Sequence, residues 1–171
     1  MTELAGPGPR PAEDQAQLFR DAMASFPSGV TIVTTVDGAG RWWGFTATSF
    51  CSVSMYPPLV LVCLATGAEC HPVFAAAQRW IVHVIHPEHA DLAIRFATRG
   101  ADKFNDAGFI ADERGLPVLP RACVTLDCTV HGRHPGGDHT ILLGRVENTR
   151  LGEDLPAVYF RRGFHLLSQP T

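Results

Sequence analysis

From Ala122 onward the chain alternates apolar and polar residues, breaks at Pro135-Gly136-Gly137, and resumes from Thr140 to Val146. A period of two is the spacing of a half-buried strand; a helix would repeat its apolar positions at wider intervals. Val124, Leu126, Cys128 and Val130 then share one face, and Thr125, Asp127 and Thr129 the other. The Pro-Gly-Gly break is too short for a crossover helix, so the returning segment pairs antiparallel. This hairpin sets the architecture that the rest of the chain must join.

Other segments read as strands at close intervals. Val30 to Val36 is β-branched almost throughout, Asp37-Gly38-Ala39-Gly40 is a turn, and Arg41 to Phe45 returns as the second arm of a hairpin. Phe50 to Ser54 is a short extended piece, ended by Pro57-Pro58. The continuous apolar run Leu59 to Leu64 predicts a strand buried on both faces. Trp80 to Ile85 and Ala157 to Phe160 complete the set. Three helices are predicted: one carrying Leu18, Phe19, Ala22, Met23 and Phe26 on a single face, one over His71 to Gln78, and one over Pro87 to Thr98. Asp102 to Leu119, with its glycines and prolines, reads as loop. About seven strands without regular βαβα alternation make a mainly β, α+β chain: an antiparallel barrel or sandwich with peripheral helices. Residues 1–13, with Ala5 to Pro11 rich in Pro and Gly, form a flexible tail, and residues 14–171 form one domain.

Composition excludes several function classes. The net charge of −3 offers nothing to attract nucleic acid or an anionic membrane surface, and no apolar run is long enough to span a bilayer. The N-terminus lacks the basic start and apolar block of a signal peptide. Five cysteines, at 51, 63, 70, 123 and 128, are odd in number and form no CxxC, which points to a reducing, cytoplasmic setting. No GxGxxG, P-loop or GxSxG is present, and Ser, His and Asp fall in no triad spacing. His83, His86 and His89 recur every third residue, but Pro87 changes the local structure between them, so no metal site is assigned.

Chemistry concentrates in Gly44 to Pro58, GFTATSFCSVSMYPP. Its hydroxyls and extended backbone suit a ligand with a polar ring edge, a polyol tail and a phosphate. The same composition suits a Ser/Thr-rich edge strand. The stretch resembles the signature of the short-chain flavin reductases, the NAD(P)H:flavin oxidoreductase components of two-component flavin monooxygenases. Further features match in order: Phe19-Arg20-Asp21-Ala22 with Phe26 to Thr34, Pro57 to Val62, Phe96-Ala97 followed by Asp102-Lys103-Phe104, Gly137-Asp138-His139-Thr140, and Tyr159 to His165. The resemblance covers roughly Gln17 to Leu167.

It implies a split β-barrel of the FMN-binding type that forms homodimers, binds FMN or FAD, and uses NADH, with NADPH possible through Arg161-Arg162. Reduced flavin would pass to a separate flavin-dependent oxygenase. By the resemblance, Phe45, Thr46, Ala47, Thr48 and Ser49 run along the flavin ring and ribityl, mainly through backbone groups. Ser52 and Ser54 continue toward the tail, Cys63, Leu64 and Ala65 line the other side, and Lys103 and Cys70 lie near the phosphate. His139 stands where the nicotinamide arrives, as the catalytic candidate, and Phe160, Arg161, Arg162 and Gly163 match the stretch that contacts the dinucleotide. Two departures stand out. Glu69-Cys70-His71 replaces a Ser/Thr-rich phosphate segment, and Arg162-Gly163 reverses the usual order. A flavin-binding protein without turnover, or a flavin enzyme acting on another substrate, would share the same barrel.

Overall fold

The structure, a computed structural model, describes residues 12–168. The predicted tail, residues 1–13, lies mostly outside the described residues. Its last two positions belong to the first helix, α1 (Ala12–Ala24). After α1 come β1 (Ser28–Gly29), β2 (Thr31–Val36), β3 (Trp42–Ala47), β4 (Cys51–Ser54) and β5 (Leu59–Ala65). Next are α2 (His71–Ala76), β6 (Arg79–Val84), a 3-10 turn (Pro87–His89) and α3 (Ala90–Ala97). The chain ends with β7 (Ile110–Ala111), β8 (Pro117–Val118), β9 (Val124–Gly136), β10 (His139–Leu151), β11 (Val158–Phe160) and β12 (Gly163–His165).

A seven-stranded sheet dominates, in the order β3-β2-β6-β9-β10-β5-β4 and antiparallel at every pairing. The predicted hairpin is its longest element. Between β9 and β10, Gly137 sits at φ 67° as the first of two loop residues, a backbone that a side chain would strain. At the second hairpin, β11–β12, both loop positions are left-handed but are occupied by Arg161 and Arg162, at φ 49° and 62°. That turn needs positive φ at two residues and has no glycine to relieve it.

Two buried clusters pack against the sheet. One gathers Val33, Phe45, Val62, Leu64, Phe74, Trp80, Val82, Cys128 and Leu142. The other gathers Val30, Ile32, Ile85, Ala93, Phe96, Phe109 and Leu119. β2 feeds both by alternation, Val33 to the first and Ile32 to the second, and is buried on both faces. Trp80 is accommodated because Gly144 has no side chain; a Cβ there would lie 2.4 Å from the indole.

Three readings change. The run Leu59 to Leu64 is not buried on both faces. Leu59, Val60, Val62 and Leu64 are buried, but Leu61 and Cys63 are only partly buried, and Cys63 lines a cleft. Residues 102–119 are not all loop. β7 and β8 form a small hairpin, fixed by Thr34 Oγ1 donating to Pro117 O at 2.7 Å and Trp42 Nε1 to Gly115 O at 3.0 Å. The apolar face of α1 has no cover among the described residues, with Phe19 66% exposed, and the helix stops at Ala24, short of Phe26, which is 70% exposed beyond it.

Candidate functional site

β3 and β4 are the end strands of the sheet. β3 pairs with β2 alone, so half of its backbone groups remain free of the ladder. One of them, Gly44 O, accepts a hydrogen bond from Lys103 Nζ at 3.2 Å, and Lys103 Nζ also donates to Phe96 O at 2.9 Å. The chain's only lysine thus ties the end strand to the end of α3 while its ammonium borders a cavity.

That cavity has a volume of about 380 Å³. Phe45 and Thr46 of β3 form one wall, Cys63, Leu64 and Ala65 of β5 another. Glu69, Cys70, Phe96, Arg99, Lys103 and His139 complete much of the rest. Eight of the sequence candidates therefore meet in one place: Phe45, Thr46, Cys63, Leu64, Ala65, Cys70, Lys103 and His139. The β10–β5 register explains part of this, because it sets His139 opposite Ala65 and Thr140 opposite Leu64.

His139 is held from two sides. Its Nδ1 lies 2.7 Å from Asp138 Oδ1, and Asp138 O accepts from both Thr66 N and Thr66 Oγ1. A carboxylate can only accept here, so Nδ1 carries the proton and Nε2 is left available. The hydrogen bond from His139 holds the Asp138 carboxyl below the usual carboxylate range. Burial pushes the Cys70 thiol up, with Lys103 opposing, so Cys70 is a neutral wall rather than a nucleophile.

Several hydroxyls of the Gly44 to Pro58 strip are spent inside the protein. Thr46 Oγ1 donates to Ala93 O at 2.6 Å, and Ser49 Oγ accepts from Cys63 N at 2.9 Å. They position β3 and β5 rather than offering free side-chain donors. Ala47 is buried, and its carbonyl accepts from Thr31 Oγ1.

Other candidates stand outside the cavity. Ser52 and Ser54 do not continue along it, because β4 runs antiparallel to β5 and sets them opposite Val60 and Leu59. That is the far end of β5, about 17–20 Å of strand away from Ala65. Thr48 borders a neighbouring apolar pocket of about 240 Å³, with Ile94, Tyr159 and Phe164. Phe160, Arg161, Arg162 and Gly163 form the tip of the β11–β12 hairpin, which borders that second pocket and not the first. Arg162 is engaged by Asp21 of α1 at 2.6 Å.

Arg99 and Phe96 were not on the sequence list. Arg99 lies 3.5 Å from Glu69, whose Oε2 also accepts from Gly100 N at 3.1 Å. Glu69, which stands in place of the Ser/Thr-rich segment, is thereby paired, and only the tertiary contact reveals it. Phe96 reads as helix core and is core, but one side of it also borders the cavity. His83, His86 and His89 lie apart from the cavity. His83 points into the core with Nδ1 3.0 Å from Ile32 O, and the rings of His86 and His89 lie 3.9 Å apart.

The cleft thus lies between a free strand edge and an apolar strand, with a lysine and an oriented histidine in its lining. The chain belongs to the flavin reductase family: the model of the flavin reductase like domain matches residues 23–168. It is 50% identical over 157 residues to the actinorhodin polyketide dimerase of Streptomyces coelicolor, covering 91% of this chain and 88% of that protein. It is 44% identical over 158 residues to the NADH:riboflavin 5′-phosphate oxidoreductase of Streptomyces pristinaespiralis, covering 91% and 90%. The NADH:FAD oxidoreductase of Streptomyces globisporus, solved in complex with NAD and FAD fragments, superposes with a TM-score of 0.84. It is 34% identical and matches 98% of each chain.

Proposed function

We propose that this chain is an NADH-dependent flavin reductase that binds FMN or FAD in the cleft between β3 and β5 and supplies reduced flavin to a separate flavin-dependent monooxygenase. The observation that carries the reading is the meeting of eight predicted residues around one cavity beside an unpaired strand edge. The flavin supplies the hydride-accepting ring and NADH the hydride. The protein's part is to hold two flat rings in contact, at about 3–3.5 Å between reacting atoms. No side chain need take a proton in that step, which agrees with a site that lacks a nucleophile and its base. The outward backbone groups of Thr46 face the polar ring edge, and the apolar walls Phe45, Leu64 and Phe96 exclude water from the ring. Lys103 and Arg99 supply positive charge at the phosphate end. His139, oriented by Asp138, presents Nε2 to the incoming nicotinamide.

The nucleotide is read as NADH. Arg161 and Arg162 are the basic pair open to a 2′-phosphate, and the ion pair of Arg162 with Asp21 would compete with it. The sheet is read as a split barrel, because β3 and β5 wall the same cavity and feed the same buried cluster. A homodimer is read from the bare apolar face of α1, where Leu18, Phe19 and Met23 are exposed, with Phe26 exposed just past the helix. The setting is read as cytoplasmic from five free cysteines. No helix among the described residues is long and apolar enough to cross a membrane.

The test is steady-state NADH oxidation by the purified protein with FMN or FAD, followed as loss of NADH absorbance. Flavin-dependent turnover is expected, and its absence above background would overturn the reading.

A further inference from the structure

The tip of the β9–β10 hairpin projects into water: Gly136, Gly137 and Asp138 are exposed. Asp138 orients the His139 imidazole, but its side chain is 93% exposed and that of His139 42%. A pair so open to water contributes little by itself, so it cannot alone decide where Nε2 points. Two further contacts brace the tip from outside the cavity. Thr66, just past β5, donates to Asp138 O through its backbone N at 2.9 Å and its Oγ1 at 3.0 Å. His71, the first residue of α2, sets Nε2 2.9 Å from Thr140 Oγ1. Successive side chains of a strand point to opposite faces, so Thr140 turns away from the His139 side and meets His71 there. None of Thr66, His71 and Thr140 lines the cavity.

The helix that carries His71 is a firm support. Phe74 is fully buried and packs edge-on against Phe45 of the cavity wall at 4.9 Å. Arg133 donates to Phe74 O at 3.4 Å and also to Ala77 O, which fixes the far end of α2. At the near end, His71 N donates to Ala68 O at 2.9 Å.

We propose that His71 is a positioning residue for the reductase: acting through Thr140, and together with Thr66, it fixes the hairpin tip so that His139 Nε2 meets the nicotinamide. The inference rests on the flavin reductase reading, with His139 at the nicotinamide end. The Glu69-Cys70-His71 segment then serves both ends of the cavity. Glu69 pairs with Arg99, and His71 reaches the strand that carries His139. Hydride transfer needs its two carriers in near contact, so a small loosening at His139 lowers the NADH step far more than flavin binding.

The test is steady-state kinetics of the full chain, with NADH and flavin varied separately. Thr140→Val keeps the volume and removes the hydroxyl. It should lower kcat/KM for NADH about tenfold while flavin KM stays within about twofold. Thr140→Ser should restore the parent value, and His71→Ala should match Thr140→Val. Should His71→Ala fail to fold, the two Thr140 variants carry the test. Added to His139→Ala, Thr140→Val should cause less than about a twofold further loss, since a residue acting through His139 then has nothing to position. Equal rises in the KM values for NADH and flavin, no rescue by serine, or full additivity with His139→Ala would each overturn the positioning role and leave the reductase reading standing. No flavin-dependent NADH oxidation by the parent chain would sink that reading, and the proposal with it.

Discussion

Acidification should destabilise this protein through His83. The side chain is fully buried on β6, and Nδ1 donates to Ile32 O at 3.0 Å. Nε2 has no hydrogen-bond partner, and the ring packs edge-on against Phe109 at 5.5 Å. Protonation would place a second N–H, and a charge, where nothing can accept it. Burial accordingly lowers the His83 pKa from 6.5 to about 4, with the bond to Ile32 opposing. A folded-state pKa below the unfolded value means that the unfolded chain takes up the proton first. The stability held through neutral His83 is therefore complete above about pH 6.5 and drains away as pH falls toward 4. Full loss is about 3 kcal/mol, and about 2 kcal/mol of it is gone by pH 5. His89 pushes the same way: its pKa is lowered to about 4 by burial first, then by His86 and Arg121. Urea unfolding at pH 7.5, 6 and 5 measures the effect, with His83→Gln as the control. The parent should lose about 2 kcal/mol more than the variant between pH 7.5 and 5. Equal slopes would refute the assignment. The consequence reaches the site, because Phe109 packs on Phe96, which borders the proposed flavin cavity.

Three other variants test separate parts of the structure. Gly144→Ala should cost about 1–3 kcal/mol in denaturant unfolding, since a Cβ would sit 2.4 Å from Trp80 in a closed core. His139→Ala should raise KM for NADH more than KM for flavin in the steady-state assay; unchanged NADH dependence would remove it from the nicotinamide end. Phe19→Glu combined with Phe26→Glu should give a smaller particle by light scattering, because Phe19 on α1 and Phe26 just past it have no cover among the described residues.

Much of the sheet was legible because its signals are local. The period of two in β9, the Gly at the β9–β10 turn and the β-branched run of β2 each act over a few residues. The strand order was not legible. β6 lies between β2 and β9, and β5 pairs with β10, through contacts between residues far apart in the chain. The expectation for β5 failed for a related reason. Leu61 and Cys63 are apolar, yet whether their face meets core or cleft depends on what lies opposite. The β7–β8 hairpin was hidden because two-residue strands have no period to read; they are held by Thr34 and Trp42 from elsewhere.

The site shows the same division more sharply. Spacing alone could suggest a hydroxyl-rich ligand strip, but it could not say which hydroxyls are free. Thr46 and Ser49 turn inward to Ala93 and Cys63, so Thr46 ties β3 to α3 and Ser49 ties the segment after β3 to β5. A tie made by a side-chain hydrogen bond has a consequence for Thr46→Val. The volume is nearly kept, but Ala93 O loses the Thr46 donor, and α3 is no longer tied to β3 across the cavity. Ala93 O keeps its helical partner in α3, so losing this second donor costs about 0.5–1.5 kcal/mol. The larger effect should fall on flavin KM, since α3 carries Phe96 and Ala97 into the cavity wall. Comparing Thr46→Val with Thr46→Ser in the steady-state assay separates the hydroxyl from the methyl. Serine should restore flavin KM to near the parent value. If both variants behave alike, the Thr46 hydroxyl does not set the width of the cleft.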